Sequence, residues 1–467
     1  MCSLCTTPLR GHFCKIHCSI LPIFLHSNAN IYKGIVVINL MALVEVLKDQ
    51  QQELERGLRQ TELVPREAEL LYKKSSLIQV VSGVRRCGKS VFLHQLLKEK
   101  GFAYVNFDDD RLLDVKPNDV LAAWYQLHGK KMQVLFLDEI QNLEHWELFV
   151  NRLHRAGFRI FLTGSNAKLL AKEMATHLTG RHHTLELFPF SFKEYLQAQQ
   201  FTEDLETTQG KSMVMRQLQE YIQRGGFPEI VVKKEEPGIY LRELYQKIVD
   251  RDIVSRYRVT HQKTLKEIAR SVISSPGRVI SLGKIRRQFG LGSDHTVKNY
   301  LSYLEEAYLV LFLAKFSFKP GEIERSEKKA YGIDTGMITT LSLQAGNDSG
   351  RLYENIVALE LLRRRAWHTD RELYYWKTAE QEEIDFVLRE GKKVVQLIQV
   401  CYDLRDETTR SREIRALLKA SKALRCKNLI IITAEEEQEQ KAMWFGLQGK
   451  VKIIPLWKWL LEPKKNP

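Results

Sequence analysis

A glycine-rich pattern at residues 83–90, GVRRCGKS, has the residue types and spacing to bind a phosphate group. In this G-x4-G-K-S pattern, the glycines let backbone N–H groups turn inward, where they and the following helix bind phosphate oxygens. Lys89 would reach the β- and γ-phosphates of a nucleotide, and Ser90 would offer its hydroxyl to Mg²⁺. The residues predicted to contact the nucleotide are Gly83, Val84, Arg85, Arg86, Cys87, Gly88, Lys89, Ser90 and Val91.

A second segment, QVLFLDEIQNL at residues 133–143, has an apolar run that ends in two carboxylates. At the end of a buried strand beside the phosphate loop, Asp138 would hold Mg²⁺ through water, so the predicted metal-binding residues are Ser90 and Asp138. Glu139 would polarise the water that attacks the nucleotide. A pair of acids after an apolar run also occurs at ordinary strand ends, but the loop upstream favours catalysis. Asn166, which ends FRIFLTGSN, would sense the γ-phosphate or position that water.

The elements around these motifs alternate between strand and helix. Residues 75–83 form an apolar, β-branched run before the loop, and residues 90–100 have apolar positions at helical spacing. The same alternation continues to residue 187, which predicts a parallel α/β sheet flanked by helices, with the ligand at the carboxyl ends of the strands.

Five separate motifs together resemble one group of archaeal and bacterial AAA-type ATPases. They are GVRRCGKS, FLDEIQN, FLTGSN, LTGRHHTLELFPFSFKEYL and YIQRGGFPEIV, and the resemblance covers nearly the whole chain from about Met41. It implies a P-loop ATPase domain that binds ATP with Mg²⁺, hydrolysis that depends on a ring or a partner, and a C-terminal domain of uncharacterised function. Such sites borrow an arginine to neutralise the transferring phosphoryl group. Arg181 is the first candidate for it, and Arg251 and Arg256 follow.

Composition points to a polyanionic partner. The chain has 467 residues and a formal net charge of +14, which favours nucleic acid, although a basic protein can simply be basic. Seven cysteines are too few for a disulfide scaffold, and Cys87 inside the loop suits a reducing compartment, so we expect the cytoplasm. No run of about 18 apolar residues is present, so no membrane span is expected.

The first 40 residues differ from the rest of the chain because they lack Asp and Glu and hold four of the seven cysteines. We interpret them as a start codon assigned too early, with the protein beginning at Met41, or as a disordered extension. Zinc binding by Cys2, Cys5, Cys14 and Cys18 and a secretory signal are weaker alternatives.

Three domains are predicted after this extension. Residues 41–205 would form the ATPase core, residues 206–335 a helical lid with a winged helix-turn-helix, and residues 336–467 a small α/β domain. The winged helix is predicted from a helix, a glycine turn, a second helix and an apolar strand within residues 278–316. DNA would be contacted by Lys284, Arg286, Arg287 and Lys298. The alternative is that this segment contacts protein or belongs to the lid.

The C-terminal domain resembles the PD-(D/E)xK restriction-nuclease fold. Glu354 on a helix and Asp385 in EEIDFVL match its first two acids. The expected E-x-K stands as Gln399, Val400 and Cys401, so a carboxylate and the lysine are missing, and we expect no DNA cleavage.

The sequence therefore predicts an ATP-dependent switch or remodeller that acts with nucleic acid or a partner protein, as a homo-oligomer or in a complex. A regulatory protein that binds ATP and DNA with negligible hydrolysis is the alternative from another class. An ATP-regulated nuclease with a migrated catalytic residue is the third.

Overall fold

The computed structural model describes residues 21–59, 62–68, 76–166, 180–342, 349–368 and 370–463, without the side chains of residues 21–39 and of Lys130. The cysteine spacing before residue 20 lies outside the described residues. The backbone of residues 21–39 belongs to a helix that continues to Arg59, and a start at Met41 stays a prediction.

The first sheet is parallel and has five strands. They are β1 (Ile78–Ser82), β2 (Ala103–Asn106), β3 (Val134–Asp138), β4 (Arg159–Gly164) and β5 (His182–Glu186), in the order β2-β3-β4-β1-β5. The predicted parallel sheet is confirmed. Because β1 and β3 both flank β4, the segments after these three strands meet at one edge of the sheet.

Helices cover both faces of this sheet. They are α1 (Leu21–Arg59), α2 (Lys89–Leu97), α3 (Pro117–His128), α4 (Trp146–Arg155) and α5 (Phe192–Ala198). Strand side chains alternate between the faces. Leu135 and Leu137 of β3 pack with Trp124 of α3 in one core, while Phe136 packs with Phe92 of α2 in the other.

A helical segment follows. It consists of α6 (Thr208–Arg224), α7 (Pro228–Val232), α8 (Pro237–Lys247) and a π-helix (Ile248–Ser255). Proline at the first position of α7 and α8 suits the start of a helix because its missing N–H would have no intrahelical partner.

The middle module, as we name residues 262–341, contains a small antiparallel sheet. Its elements are α9 (Gln262–Ile273), β6 (Arg278–Ile280), α10 (Leu282–Gln288), α11 (Asp294–Glu306), β7 (Val310–Ala314), α12 (Pro320–Arg325), β8 (Lys328–Gly332) and α13 (Thr335–Leu341). Strand β8 is central and pairs with both β6 and β7. The Ser293 side chain caps α11 by accepting a hydrogen bond from the Thr296 N–H.

The C-terminal domain has a mixed sheet of six strands in the order β13-β14-β12-β11-β10-β9. Its elements are α14 (Ser349–Arg365), β9 (Arg371–Lys377), β10 (Glu383–Glu390), β11 (Lys393–Val400), α15 (Glu407–Leu424), β12 (Leu429–Thr433), β13 (Gln438–Trp444), β14 (Leu447–Pro455) and α16 (Leu456–Leu461). Two turns, at residues 378–382 and at Gly391, join β9, β10 and β11 as three antiparallel strands.

Among the described residues, no helix combines the length and the apolar character needed to cross a membrane.

Candidate nucleotide site

The phosphate loop joins β1 to α2 at the sheet edge where the other predicted residues also lie. Gly83 and Gly88 have φ angles of +154° and +95°, which side-chain-bearing residues rarely adopt. A Cβ on Gly83 would lie 2.1 Å from the Leu187 carbonyl oxygen. Glycine at position 83 is therefore required by both the backbone conformation and the close approach of β5.

The Lys89 ammonium is buried at the centre of this loop. Its Nζ donates to the carbonyl oxygens of Gly83 and Val84 at 3.1 and 3.2 Å and lies 3.4 Å from Glu139 Oε1. Burial lowers the pKa of Lys89, but Glu139, Cys87 and Asp138 together outweigh it and the pKa is raised. The site therefore holds a permanent positive charge where phosphate oxygens would bind.

Asp138 and Glu139 have different surroundings although they are neighbours. Burial and the Glu139 charge raise the pKa of Asp138, whose carboxylate accepts hydrogen bonds from Tyr104, Thr163 and Ser90. Glu139 is also buried, which opposes ionisation, yet Lys89, a Gln141 hydrogen bond and Arg85 lower its pKa to about 2. Glu139 is thus ionised at neutral pH.

Ser90 and Asp138 have the chemistry of a Mg²⁺ site. The Ser90 hydroxyl hydrogen-bonds the Asp138 carboxylate, and both line one cavity with Lys89. Hydroxyl and carboxylate oxygens are the ligands that Mg²⁺ prefers, and it commonly keeps several waters. These residues fit the ion that the sequence predicts.

Arginine side chains connect the loop to the helical segment. Arg85 lies 3.1 Å from both Asp108, after β2, and Asp252 of the π-helix. Arg251 contacts the same Asp108 at 2.6 Å. Arg86 extends to Glu229 of α7 at 3.0 Å. The loop arginines thus tie the rim of the site to the segment predicted to act as a lid.

The cavity itself measures about 460 Å³, which suits a nucleotide. Its lining combines the charged groups of the loop with apolar side chains from the end of α1, from the segment that follows α1 and from α7, namely Leu54, Leu58, Val64, Pro228 and Val232. Charged and apolar groups in one cavity match the phosphates and the base of a nucleotide.

Known proteins match most of the chain. An AAA domain model matches residues 75–196, and the domains of unknown function DUF8612 and DUF4143 match residues 215–349 and 349–459. An uncharacterized protein of Methanocaldococcus jannaschii is 39% identical over 403 residues, which are 82% of this chain and 88% of that protein. An uncharacterized protein of Haemophilus influenzae is 31% identical over 358 residues, 72% and 85% of the two chains. This chain belongs to their family.

Two solved structures match more weakly. Cdc6p from Pyrobaculum aerophilum is 14% identical with a TM-score of 0.22, over 62% of this chain and 93% of that one. Drosophila ORC bound to AT-rich DNA and Cdc6 is 10% identical with a TM-score of 0.17, over 66% and 58%. TM-scores this low support no conclusion about this chain. The AAA domain is assigned from the family model that matches residues 75–196.

The AAA domain brings most of the predicted residues to this cavity, but not all in the predicted way. Val84 and Cys87 are fully buried, so only their backbone faces the loop interior. The Cys87 thiol contacts the Leu187 carbonyl oxygen at 3.2 Å, and burial raises its pKa. Val91 is 37% exposed at the cavity wall. Asn166, after β4, is buried and donates to the Tyr257 hydroxyl at 3.0 Å.

Arg181 is not at the nucleotide site of its own chain. Its carbonyl oxygen accepts from the N–H of Ile78, the first residue of β1, whereas the phosphate loop follows the last residue of that strand. Its side chain bonds Asn151 at 3.2 Å. The parallel strands separate Arg181 from the phosphate loop of its own chain, and its predicted catalytic role stays a prediction. Of the alternatives, Arg251 reaches the cavity rim through Asp108, while Arg256 is not among the described residues that line the cavity.

Sequence reasoning missed the residue that supports the back of the loop. Arg66 is buried and donates to the Cys87 carbonyl oxygen at 3.0 Å, the Phe188 carbonyl oxygen at 2.6 Å and Glu194 Oε1 at 3.0 Å. Nothing around Arg66 in the sequence marks this role, since its three partners come from distant segments.

Replacing Lys89 by alanine removes a charge-assisted contact to phosphate, so ATP should bind at least about tenfold more weakly, roughly 1.4 kcal/mol or more. Titration with a fluorescent ATP analogue measures this. Lys98→Ala, at the exposed far end of the same helix, is the control and should bind like the parent. Equal affinity for Lys89→Ala and the parent would contradict the assignment of the phosphate loop.

Proposed function

We propose that this protein is an ATP-hydrolysing switch whose nucleotide state is transmitted to the middle module, which acts on nucleic acid or a partner. The observation that carries the proposal is a chain of side-chain contacts from Asn166, which follows β4 at the sheet edge that holds the phosphate loop, to Glu306 at the end of α11. A protein that only stored ATP would have no use for such a connection.

The residues of the cavity divide the work of hydrolysis. The loop backbone and Lys89 bind the β- and γ-phosphates, and phosphate oxygens compete with Glu139 for the Lys89 ammonium. Glu139, freed from that ammonium, becomes a better base for the attacking water. Mg²⁺ held by Ser90 and Asp138 would supply neutralisation of phosphate charge. Asn166 would orient the water or the γ-phosphate.

The contact chain runs through one tyrosine. The Tyr257 hydroxyl accepts from Asn166 and donates to the Glu306 carboxylate, and the Tyr257 ring stacks on Tyr303 of α11 with centroids 4.0 Å apart. Burial and the bond to Glu306 raise the pKa of Tyr257, so the hydroxyl keeps its proton and remains a donor.

A second contact joins the two parts on the other side of the loop. The Tyr308 hydroxyl donates to Ser82 Oγ at 2.8 Å, directly before Gly83. Tyr308 follows α11 and is buried with a φ of +58°, an unusual conformation for a bulky residue. Movement of the loop on binding phosphate would therefore bear on the same end of α11.

The middle module is proposed to be a winged helix. Its order of helix, strand, two helices and two strands, with β8 between β6 and β7, supports this assignment. Lys284, Arg287 and Lys298 are exposed on α10 and α11, away from the Tyr303 end that faces the AAA domain. Arg286 lies 3.1 Å from Asp294, so its charge is partly neutralised. These groups would bind the phosphates of DNA.

An arginine for the transferring phosphoryl group has two proposed sources. Arg251 lies at the rim of its own site. Arg181, at the opposite sheet edge, would serve only the site of a neighbouring subunit, as ring-dependent hydrolysis requires.

Changing Glu139 to glutamine removes the base but keeps the shape, so ATP should still bind while turnover falls roughly 100-fold. Phosphate release and nucleotide titration measure the two effects. Glu144→Gln, five residues along and well exposed, is the matched control. If Glu139→Gln hydrolyses ATP at the parental rate, the chain has another base; if the parent itself does not hydrolyse ATP with any partner, it is a binding protein.

Changing Tyr257 to phenylalanine keeps the stacking on Tyr303 but breaks both hydrogen bonds. The difference in DNA affinity between the ATP-bound and ADP-bound protein should shrink about fivefold or more, within the usual range of coupling energies. Fluorescence anisotropy with each nucleotide measures this, and ATP affinity serves as a check on the fold. Tyr125 is an exposed residue of α3, and Tyr125→Phe is the control. It should leave the difference in DNA affinity between the two nucleotide states unchanged. If Tyr257→Phe shows the same difference in DNA affinity between the ATP-bound and ADP-bound states as the parent, the contact chain has no part in the mechanism.

Replacing Lys284, Arg287 and Lys298 together by glutamate should weaken binding to every DNA sequence and reduce the salt dependence by about three units of slope at most. Lys100, Lys116 and Lys131, exposed on the AAA domain, changed in the same way, provide the control for net charge. Equal loss in both triple variants would indicate a general charge effect. Unchanged binding in the first would assign this face to a protein partner.

A further inference from the structure

The acids that resemble nuclease metal ligands meet at the junction between the C-terminal domain and the middle module. Glu354 comes from α14, and Glu383 and Asp385 come from β10. Their carboxylates converge on a group that comes from outside the C-terminal domain. Lys329 of β8 places its Nζ 2.9 Å from Glu354 Oε1, 2.7 Å from Glu383 Oε1 and 2.9 Å from Asp385 Oδ1.

This ammonium is held by the backbone as well as by its charge. Lys329 is the second residue of β8, the central strand, where it lies opposite Val279 of β6 and Leu313 of β7, and its side chain is 1% exposed. Strands on both sides fix the position of its Cα, and the close packing around the buried side chain restricts the ammonium.

The carboxylates also accept further hydrogen bonds. The Tyr331 hydroxyl donates to Glu354 Oε1 at 2.7 Å, and the Val400 N–H donates to Asp385 Oδ2 at 3.0 Å. Gln399, where the nuclease pattern has a carboxylate, donates to Glu413 Oε2 at 2.7 Å and accepts from the Asp385 N–H at 3.2 Å. A divalent cation does not fit this cluster. In agreement, the described residues contain no group of three or more acid, histidine or cysteine ligands arranged to hold a metal ion.

We propose that Lys329 is a built-in cation that occupies the place of a divalent metal in the carboxylate cluster of Glu354, Glu383 and Asp385. The C-terminal domain is thereby locked to the middle module instead of cutting DNA. Removing the ammonium uncovers a site for a divalent cation with a preference for oxygen ligands.

Simple electrostatics supports the exchange of one cation for the other. Three carboxylates that converge on one point need a positive charge among them, and a metal ion beside the ammonium would repel it within a few ångströms. The contacts of 2.7–2.9 Å are charged hydrogen-bond lengths. Calcium takes oxygens at about 2.3–2.6 Å, so the same carboxylates need shift by only a few tenths of an ångström.

The test uses Lys329→Met in the full-length protein. Methionine is unbranched, uncharged and one atom shorter, so it fills most of the volume and leaves space for an ion. In EDTA its melting temperature should fall by roughly 5 to 10 °C, since removing one partner of a buried ion pair is strongly destabilising. Millimolar Mn²⁺ should restore most of this loss and give a bound Mn²⁺ signal in electron paramagnetic resonance without nucleotide.

Two further variants make the outcome specific. Lys328→Met, the exposed neighbour on the same strand, should melt like the parent and not respond to Mn²⁺. Lys329→Met combined with Glu354→Gln and Asp385→Asn removes both charges and ligands, so it should regain stability in EDTA and bind no Mn²⁺. If Lys329→Met does not fold, the combined variant still tests the proposal. Folding of the combined variant without metal would show that unpaired carboxylate charge is what prevents Lys329→Met from folding.

Two results would overturn the proposal. One is a Lys329→Met protein with the parental melting temperature and no response to Mn²⁺. The other is a parent that binds Mn²⁺ at this cluster, or cleaves supercoiled or branched DNA in Mg²⁺ or Mn²⁺, with a loss of either property in Asp385→Ala. That second result would make Lys329 a migrated nuclease lysine.

Discussion

The nucleotide site depends on one buried ammonium. Lys89 is almost fully buried, so its charge must be met largely by the Gly83 and Val84 carbonyl oxygens and by Glu139. These partners impose conditions on distant parts of the chain. Glycine is required at position 83, where a Cβ would strike the Leu187 carbonyl oxygen. The order of the sheet is also constrained, since β3 must end within reach of the loop for Glu139 to contact Lys89.

The two buried lysines, Lys89 and Lys329, have different kinds of partners. The partners of Lys89 are two neutral oxygens and one carboxylate, and phosphate oxygens can replace all of them at a gain. Lys329 has three carboxylates and lies on a central strand, so no anion can outcompete its partners. Burial and the Asp385 charge raise the pKa of Glu354, as expected where carboxylates outnumber cations. The first arrangement suits a binding site, and the second suits a permanent junction.

The sequence was informative where the chemistry is local. The loop, the acids after β3 and Asn166 after β4 each lie within a short motif, and alternation of apolar runs was enough to predict a parallel sheet. The positions of Glu354 and Asp385 were also anticipated. What could not be predicted are the contacts that join separate segments: Arg66 with the loop, Tyr257 with Glu306, and Lys329 with the acids. The sequence also did not show whether Arg181 lies at the nucleotide site of its own chain, because this depends on how the strands are arranged in the sheet.

The contacts between the parts of the chain differ in strength, and this difference indicates where movement costs least. The AAA domain is connected to the end of α11 by the hydrogen bond from Tyr308 to Ser82 and by Tyr257, which accepts from Asn166 and donates to Glu306. Neutral hydrogen bonds contribute about 0.5–1.5 kcal/mol each and a bond to a carboxylate about 1.5–3 kcal/mol, so these contacts can break and re-form as the site changes. The C-terminal domain is joined through the Lys329 cluster and through buried Arg363, which donates to the Pro189 carbonyl oxygen at 3.1 Å. Breaking the Lys329 cluster would leave buried charge without its partners, which is far more costly. A change at the nucleotide therefore costs the least free energy when it moves the end of α11. The C-terminal domain holds the rest of the middle module in place.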